Sequence, residues 1–369
     1  MPQSVPVRAY QCLDWGVSRS RPYFLDKPPL VQSATPMKTI ASNRTSGWII
    51  LTFLLCALTH PMFAANIFFL NDGDLTVFDG TASRSASADP KKIGAKGSYH
   101  HLFDWKESPG VTRFLISKGH DARFRTNSDA PSGVDLWLRD GNGGERQIHT
   151  SVYRACFSPD GQTLAYTTSD CELRVEDPEG RRLHTVSGAY NPHWKKDGSA
   201  LTFEKVPAGR DAHLPETLHL AKLDAASGKV DLLTDGTFDD VRSEFHPGGK
   251  WILFVSGGRS GLASFWKISA EGGKPEQVTN VGLKQLDETF VPTPYQQTIW
   301  SADGRWFVYD FKSGDTRQIW GLEFDDGGKF LRALKLVEGL NPQWLEDGKT
   351  FAYEHQLGNQ NAPAVGRLP

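Results

Sequence analysis

Five times along the chain an aromatic residue is followed by a glycine-bearing turn and then by two apolar residues spaced one apart. The clearest copy is Phe157-Ser158-Pro159-Asp160-Gly161-Gln162-Thr163-Leu164-Ala165-Tyr166. Trp194 leads Asp197-Gly198, then Leu201 and Phe203. Phe245 leads Gly248-Gly249, then Ile252 and Phe254. Trp300 leads Asp303-Gly304, then Phe307 and Tyr309, and Trp344 leads Asp347-Gly348, then Phe351 and Tyr353. In every copy the apolar pair lies seven and nine residues beyond the aromatic. A unit that returns at a fixed offset constrains the fold more than any other feature of a sequence.

The turn has a mechanism. Proline presets φ, aspartate tolerates the next position, and glycine takes the positive φ that reverses the chain. Period-two alternation on both sides makes each copy a hairpin with one buried face. Further strand patterns follow in most copies, such as Glu172-Leu173-Arg174-Val175 and Phe265-Trp266-Lys267-Ile268. Four strands per unit, with leading aromatics 37 to 55 residues apart, is the arithmetic of a β-propeller blade. The expected fold is all-β, a six-bladed propeller of four-stranded antiparallel blades. A sixth, degenerate copy starts at Trp105 and reaches Phe114 and Ile116 two residues late. The last copy has little sequence after Tyr353, and Ile67 to Phe78 reads as strand, turn and strand without an inner hairpin. The N-terminal strands are therefore expected to complete the C-terminal blade. Seven blades is the alternative, with those strands forming a blade alone.

The aromatic-Ser-Pro-Asp-Gly-x-x-Leu-x-Tyr unit resembles the WD-like propeller repeat of the TolB family, over about residues 66 to 356. That resemblance implies a periplasmic propeller with a role in an envelope protein assembly. It is specific for fold and says little about function, because propellers carry many activities.

Residues 1–36 show no periodicity and read as disordered, or as an upstream extension before a start at Met37. Residues 37–65 read as a signal peptide: Lys38 and Arg44, then an apolar run from Trp48 to Leu58, then Ala64-Ala65. The apolar run is short for a spanning helix, which favours cleavage over a retained anchor. The propeller is assigned to 66–356 and a flexible tail to 357–369. A net charge of −2 gives no reason to expect nucleic acid, and a monomer is expected. Cys12 and Cys56 fall in the removed region. Cys156 and Cys171 belong to non-adjacent strands about 10 Å apart, beyond disulfide reach, and are expected as free thiols.

Innermost propeller strands line the central channel, so residues one and three before each leading aromatic should face it. These are Asp104, Arg154, Cys156, Asn191, His193, Arg242, Glu244, Gln297, Asn341 and Gln343, with Leu102 and Ile299 as apolar exceptions. Polar groups converging from several blades suit a small polar ligand. No cofactor is expected, with calcium or another divalent ion in the channel as the open alternative. Three long loops fall on one face and form the expected partner surface: 118–133 with His120, Arg123 and Arg125; 206–216 with Arg210 and His213; and 281–296 with Phe290 and Tyr295. No Gly-x-Ser-x-Gly elbow and no His-Glu-x-x-His or paired-cysteine zinc spacing occurs. The expected function is a non-catalytic binding propeller, periplasmic or secreted, taking an envelope protein or a small polar ligand. The alternative is a carbohydrate lyase or hydrolase with a metal-assisted site at the channel mouth, built from His100, His101, His193 and His246.

If the leader is processed, N-terminal sequencing of exported protein gives a chain beginning near Asn66; a chain retaining Trp48 to Leu58 would instead show an anchor.

Overall fold

The computed structural model describes residues 67–71, 74–78, 83–85, 101–108, 111–118, 134–140, 143–210, 217–256, 258–261, 264–279, 300–313, 316–345, 347–357 and 360–369. Among them are strands, turns and bends, and no helix is long and apolar enough to cross a membrane. The fold is that of an all-β propeller, a series of antiparallel meanders.

The first sheet contains β1 (Ile67–Asn71), β2 (Asp74–Phe78) and β3 (Ser83–Ser85). Next come β4 (His101–Ser108), β5 (Val111–Ser117), β6 (Val134–Arg139), β7 (Glu145–Phe157), β8 (Leu164–Thr168), β9 (Glu172–Glu176) and β10 (Arg182–Ser187) in one continuous sheet. Two meanders are fused there: the first part of β7 pairs with β6 and the last part with β8. The following sheets are β11 (Ala189–Trp194), β12 (Ala200–Lys205), β13 (His219–Asp224) and β14 (Val230–Leu232), then β15 (Asp240–Phe245), β16 (Trp251–Ser256), β17 (Ser264–Ser269) and β18 (Glu276–Gln277). After these come β19 (Trp306–Ser313), β20 (Thr316–Phe324) and β21 (Phe330–Glu338), and last β22 (Leu340–Trp344), β23 (Thr350–Leu357) and β24 (Gln360–Arg367).

The repeated turn works as its residues suggest. In the Phe157 copy, Ser158 Oγ donates to Asp160 Oδ1 at 2.5 Å, and the Gln162 N–H donates to the same oxygen at 3.0 Å. Gly161 sits at φ +70°. The Trp300 copy repeats the set: Ser301 Oγ to Asp303 Oδ1 at 2.6 Å, Arg305 N–H at 3.0 Å and Gly304 at φ +75°.

The apolar core lies between successive sheets. Leu253, Val255 and Phe265 of one meander pack on Trp300, Phe307, Tyr309 and Phe324 of the next. Ala165, Leu173 and Val175 likewise meet Leu201, Phe203 and Leu223. Trp300 is thus a wedge between neighbours, packed against Trp251, Phe307 and Phe324.

The chain ends depart from expectation. β1, β2 and β3 pair among themselves, as the seven-blade alternative has them, and no pairing joins them to β22–β24 among the described strands. They meet the last sheet through side chains, Ile67 and Phe78 packing with Ala352. Residues 360–367, expected as tail, form β24 on the edge of β23. Their Pro363 and Gly366 read as loop in sequence. An edge strand tolerates proline, because one row of its N–H groups is unpaired anyway. Gly366 lies against the Phe351 ring, where a Cβ would clash with the ring.

Phe203 is fully buried between two meanders, and Leu232 on β14 is 56% exposed. Phe203→Ala is expected to cost about 3–5 kcal/mol and Leu232→Ala less than about 0.5 kcal/mol, read as urea midpoints.

Candidate functional site

Every described residue of the predicted channel set lies on the first strand of a meander: Asp104 on β4, Arg154 and Cys156 on β7, Asn191 and His193 on β11, Arg242 and Glu244 on β15, and Asn341 and Gln343 on β22. Gln297 and Ile299 lie outside the described residues. So do the loop residues His120, Arg123, Arg125, His213, Phe290 and Tyr295, while Arg210 is exposed.

A local irregularity sets this centre apart. Register shifts fall between Val152 and Arg154, Tyr190 and His193, Val241 and Glu244, and Leu340 and Gln343. In the last three the residue three before the leading aromatic sits inside the bulge, whereas Arg154 stays paired with Thr167. Asn191, Arg242 and Asn341 there have φ of 46°, 56° and 53°. Asparagine enters this left-handed region readily; a long side chain such as arginine rarely does. Bulges re-aim side chains, and strain of this kind persists only where surrounding contacts hold it.

The holding contacts are carboxylates, of which the sequence reading named Asp104 and missed Glu204, Asp310 and Glu354. Glu204 on β12 accepts the Arg242 backbone N–H at 2.6 Å through Oε1, and Asn191 Nδ2 at 2.7 Å through Oε2. Asp310 on β19 accepts the Asn341 N–H at 2.6 Å, and Asn341 Nδ2 donates to Glu354 on β23 at 2.6 Å. Asp104 accepts the Phe157 N–H at 2.7 Å. One meander's acid therefore fixes the next meander's inner strand. Glu204, Asp310 and Glu354 all stand ten residues after their leading aromatics. That shared offset was the available signal.

The two positions vary together. Copies with an acid at the tenth position carry an amide three before the aromatic: Asn191, Gln297 and Asn341. The copies with Thr167 and Val255 carry Arg154 and Arg242 instead. An amide can bond its own copy's acid. An arginine must find a charge elsewhere, and Arg242 feels Glu204, Arg154, Asp310 and Asp239 from neighbouring elements. Inner strands from separate meanders thus converge on one buried electrostatic centre.

Burial dominates the proton affinities. It lifts Asp104 to about 7 against the pull of its backbone N–H bonds. Asp239, just before β15, rises to about 7 through burial and then the nearby Glu204 and Asp240 charges. Asp310 rises to about 6 through burial, opposed by Arg317 at 3.3 Å. Burial pulls the Arg242 guanidinium down to about 9, opposed by Glu204. His193 is held well below its usual range by burial and by Arg154, so its 3.5 Å approach to Glu244 is that of a neutral ring. Cys156 and Cys171 are free, and burial raises the Cys156 thiol to about 12, far from a thiolate nucleophile.

His246 does not join His193. It stacks on Trp251 at 4.5 Å and contacts the Gly304 carbonyl at 3.2 Å, in the turns. The side chains of His100 and His101 lie outside the described residues. No group of three metal-ligating side chains occurs among the described residues.

Asp239 is carboxylic acid in the fold near pH 6 and carboxylate in the unfolded chain, so its burial costs stability increasingly from pH 4 to 7. Asp239→Asn should therefore gain on the parent as pH rises across that window, reaching about 1–3 kcal/mol, in denaturant titrations at pH 4, 6 and 8.

A WD domain, G-beta repeat, model matches residues 145–175. An uncharacterized protein of Agrobacterium fabrum is 25% identical over 181 residues, covering 43% of this chain and 52% of that protein. The chain thus spans about half the length of the curated relative it matches. Among solved structures, TolB from Acinetobacter baumannii is 18% identical, with a TM-score of 0.45 over 64% of this chain and 57% of that one. A putative TolB from Agrobacterium tumefaciens is 18% identical, at 0.44 over 73% and 91%. An oligogalacturonate lyase from Vibrio parahaemolyticus is 14% identical, at 0.45 over 69% and 70%. The WD repeat match falls on the copy of the turn motif led by Phe157.

Proposed function

We propose that this chain is an exported, non-catalytic propeller that binds an envelope protein or a small polar ligand. Its long-loop face and its polar inner-strand centre are the two surfaces offered for this. The observation that carries the reading is the buried carboxylate frame across neighbouring meanders, Glu204 holding the Arg242 N–H and Asn191, and Asp310 holding the Asn341 N–H. Charge is kept there at a cost in stability, and such tension marks functional sites more often than packing sites. The same groups make poor catalysts. Glu204 and Asp310 are occupied with neighbouring backbone N–H groups, and burial keeps the Cys156 thiol protonated. A hydrogen-bonding frame that is rigid before its ligand arrives suits recognition.

The apolar run and small residues at 48–65 support the export part of this reading. The loop residues His120, Arg123, Arg125, Arg210, His213, Phe290 and Tyr295 are proposed as the partner surface. The channel residues Asp104, Arg154, Asn191, His193, Arg242, Glu244, Gln297, Asn341 and Gln343 are proposed as the ligand surface.

The test sets binding against turnover. The tagged full chain is expressed in a diderm bacterium, and the periplasmic fraction is cross-linked and assayed on oligogalacturonate for ultraviolet-absorbing unsaturated product. We expect a reproducible cross-linked envelope species that weakens on Arg210→Glu, with no product. Metal-dependent product formation abolished by His193→Ala would overturn the reading in favour of the lyase.

A further inference from the structure

We propose that the turn between β15 and β16 is an acid-sensitive latch, which the His246 ring closes when neutral and releases when a second proton arrives. The device lies at the turn end of the meanders, apart from the inner strands.

The five repeated turns solve one problem in two ways. In four of them an aspartate accepts the backbone N–H two residues on: Asp160 from Gln162 at 3.0 Å, Asp197 from Ser199 at 2.9 Å, Asp303 from Arg305 at 3.0 Å and Asp347 from Lys349 at 2.9 Å. The copy led by Phe245 continues His246-Pro247-Gly248-Gly249, with glycine where the others carry that aspartate. Here the ring does the accepting: His246 Nδ1 takes the Gly248 N–H, again two residues on, at 3.0 Å. Its other nitrogen, Nε2, lies 3.2 Å from the Gly304 carbonyl oxygen in the next meander's turn. A carbonyl only accepts, so the proton must sit on Nε2 and Nδ1 must be bare. Stacking on Trp251 at 4.5 Å and an edge contact with Trp300 at 5.1 Å hold the ring in that plane.

That arrangement has no place for a second proton. It would have to bind Nδ1, head on to the Gly248 N–H, so protonation and closure oppose each other. The aspartate turns face no such conflict in mild acid. Asp160 is held below the ordinary carboxylate range by the Ser158 hydroxyl, and Asp197 is held at about 2 by Lys195 and Ser199. Partial burial pushes Asp303 and Asp347 the other way, yet the hydrogen bonds they accept leave both lowered. The charged groups on the elements packed about His246 are Asp303 and Arg305 on the facing turn, Lys250 on its own hairpin, Lys195 and Asp197 on the preceding turn, and Lys267 over Trp251. Burial lowers the ring's proton affinity, while the Gly304 carbonyl and then Asp303 raise it, and the net is downward. In the opened turn the ring regains its ordinary affinity, near 6.5. The closed turn is therefore favoured above about pH 6.5 and loses ground as pH falls below it. Pro247, Gly248 and Gly249 line a cleft with Lys195, Lys196 and Asp197, so release reshapes that surface.

The experiment measures amide hydrogen exchange of the purified protein at pH 7.5 and 5.0, expressed as protection so that the intrinsic pH dependence of exchange cancels. We expect protection of Gly248 and Gly249 to fall about tenfold or more at pH 5.0, while Gln162 and Ser199 in the aspartate turns keep theirs. The double variant His246→Ser with Gly248→Asp gives this copy the same five residues as 157–161, and its turn should hold equally at both pH values. The proposal is overturned if the parent's turn keeps its protection at pH 5.0, if the aspartate turns loosen as much, or if the double variant loosens like the parent. The ring's own 15N signals in the parent keep the test decisive should the double variant not fold. They must show Nε2–H at pH 7.5 and titrate together with the loss of protection; a ring still neutral at pH 5.0 while protection falls overturns the proposal as well.

Discussion

The hydrogen bond from a carboxylate on one meander to a backbone N–H on the next is the contact on which the inner architecture depends. Apolar packing between sheets is strong but has little directionality. It fixes that Trp300 wedges between Phe265 and Phe324, yet leaves the inner strands free to slide. Glu204 and Asp310 remove that freedom at 2.6 Å, where a charge-assisted bond is shortest and strongest. They also hold the N–H groups of Arg242 and Asn341, which the bulges take out of the strand ladder. Without the acids those buried donors would be orphaned.

Left-handed backbone and clamp therefore support each other. The bulge swings the side chain three before the aromatic toward the centre, and the neighbouring acid holds the bulge in place. The pairing of amide with acid, or arginine with a neutral residue, shows how one solution is varied from copy to copy. Where the tenth position is Thr167 or Val255, the copy has no acid of its own, and its arginine draws on charges from other meanders. Charge is thus shared across sheets, and no single meander carries a self-contained site.

How much of this was legible in sequence follows from the range of each interaction. Turn and strand chemistry are local, so Asp160-Gly161 and Asp303-Gly304 announced their hairpins, and the seven-and-nine offset announced the buried face. The inner-strand placement of Arg154, Asn191, Arg242 and Asn341 followed from the same alternation. Glu204, Asp310 and Glu354 were passed over because a carboxylate after an aromatic in a strand looks like an exposed alternation partner; only the neighbouring sheet buries it. β24 was passed over because its pairing partner, β23, supplies the reason for it to be a strand. Propensity in Gln360 to Arg367 does not. The self-pairing of β1 to β3 was likewise undecidable from alternation, since the same pattern fits either sheet.

The tension at the centre has a direction. Asp104, Asp239 and Asp310 all have their ionised forms penalised by burial, and each has a carboxylate neighbour or a clamped N–H that fixes its position. A purely structural solution was open to the fold, because the Thr167 and Val255 copies do without an acid at the tenth position. Asp239, by contrast, holds no N–H through its buried Oδ1 and adds negative charge beside Glu204 and Asp240. Its contribution to the isolated fold is unfavourable at neutral pH.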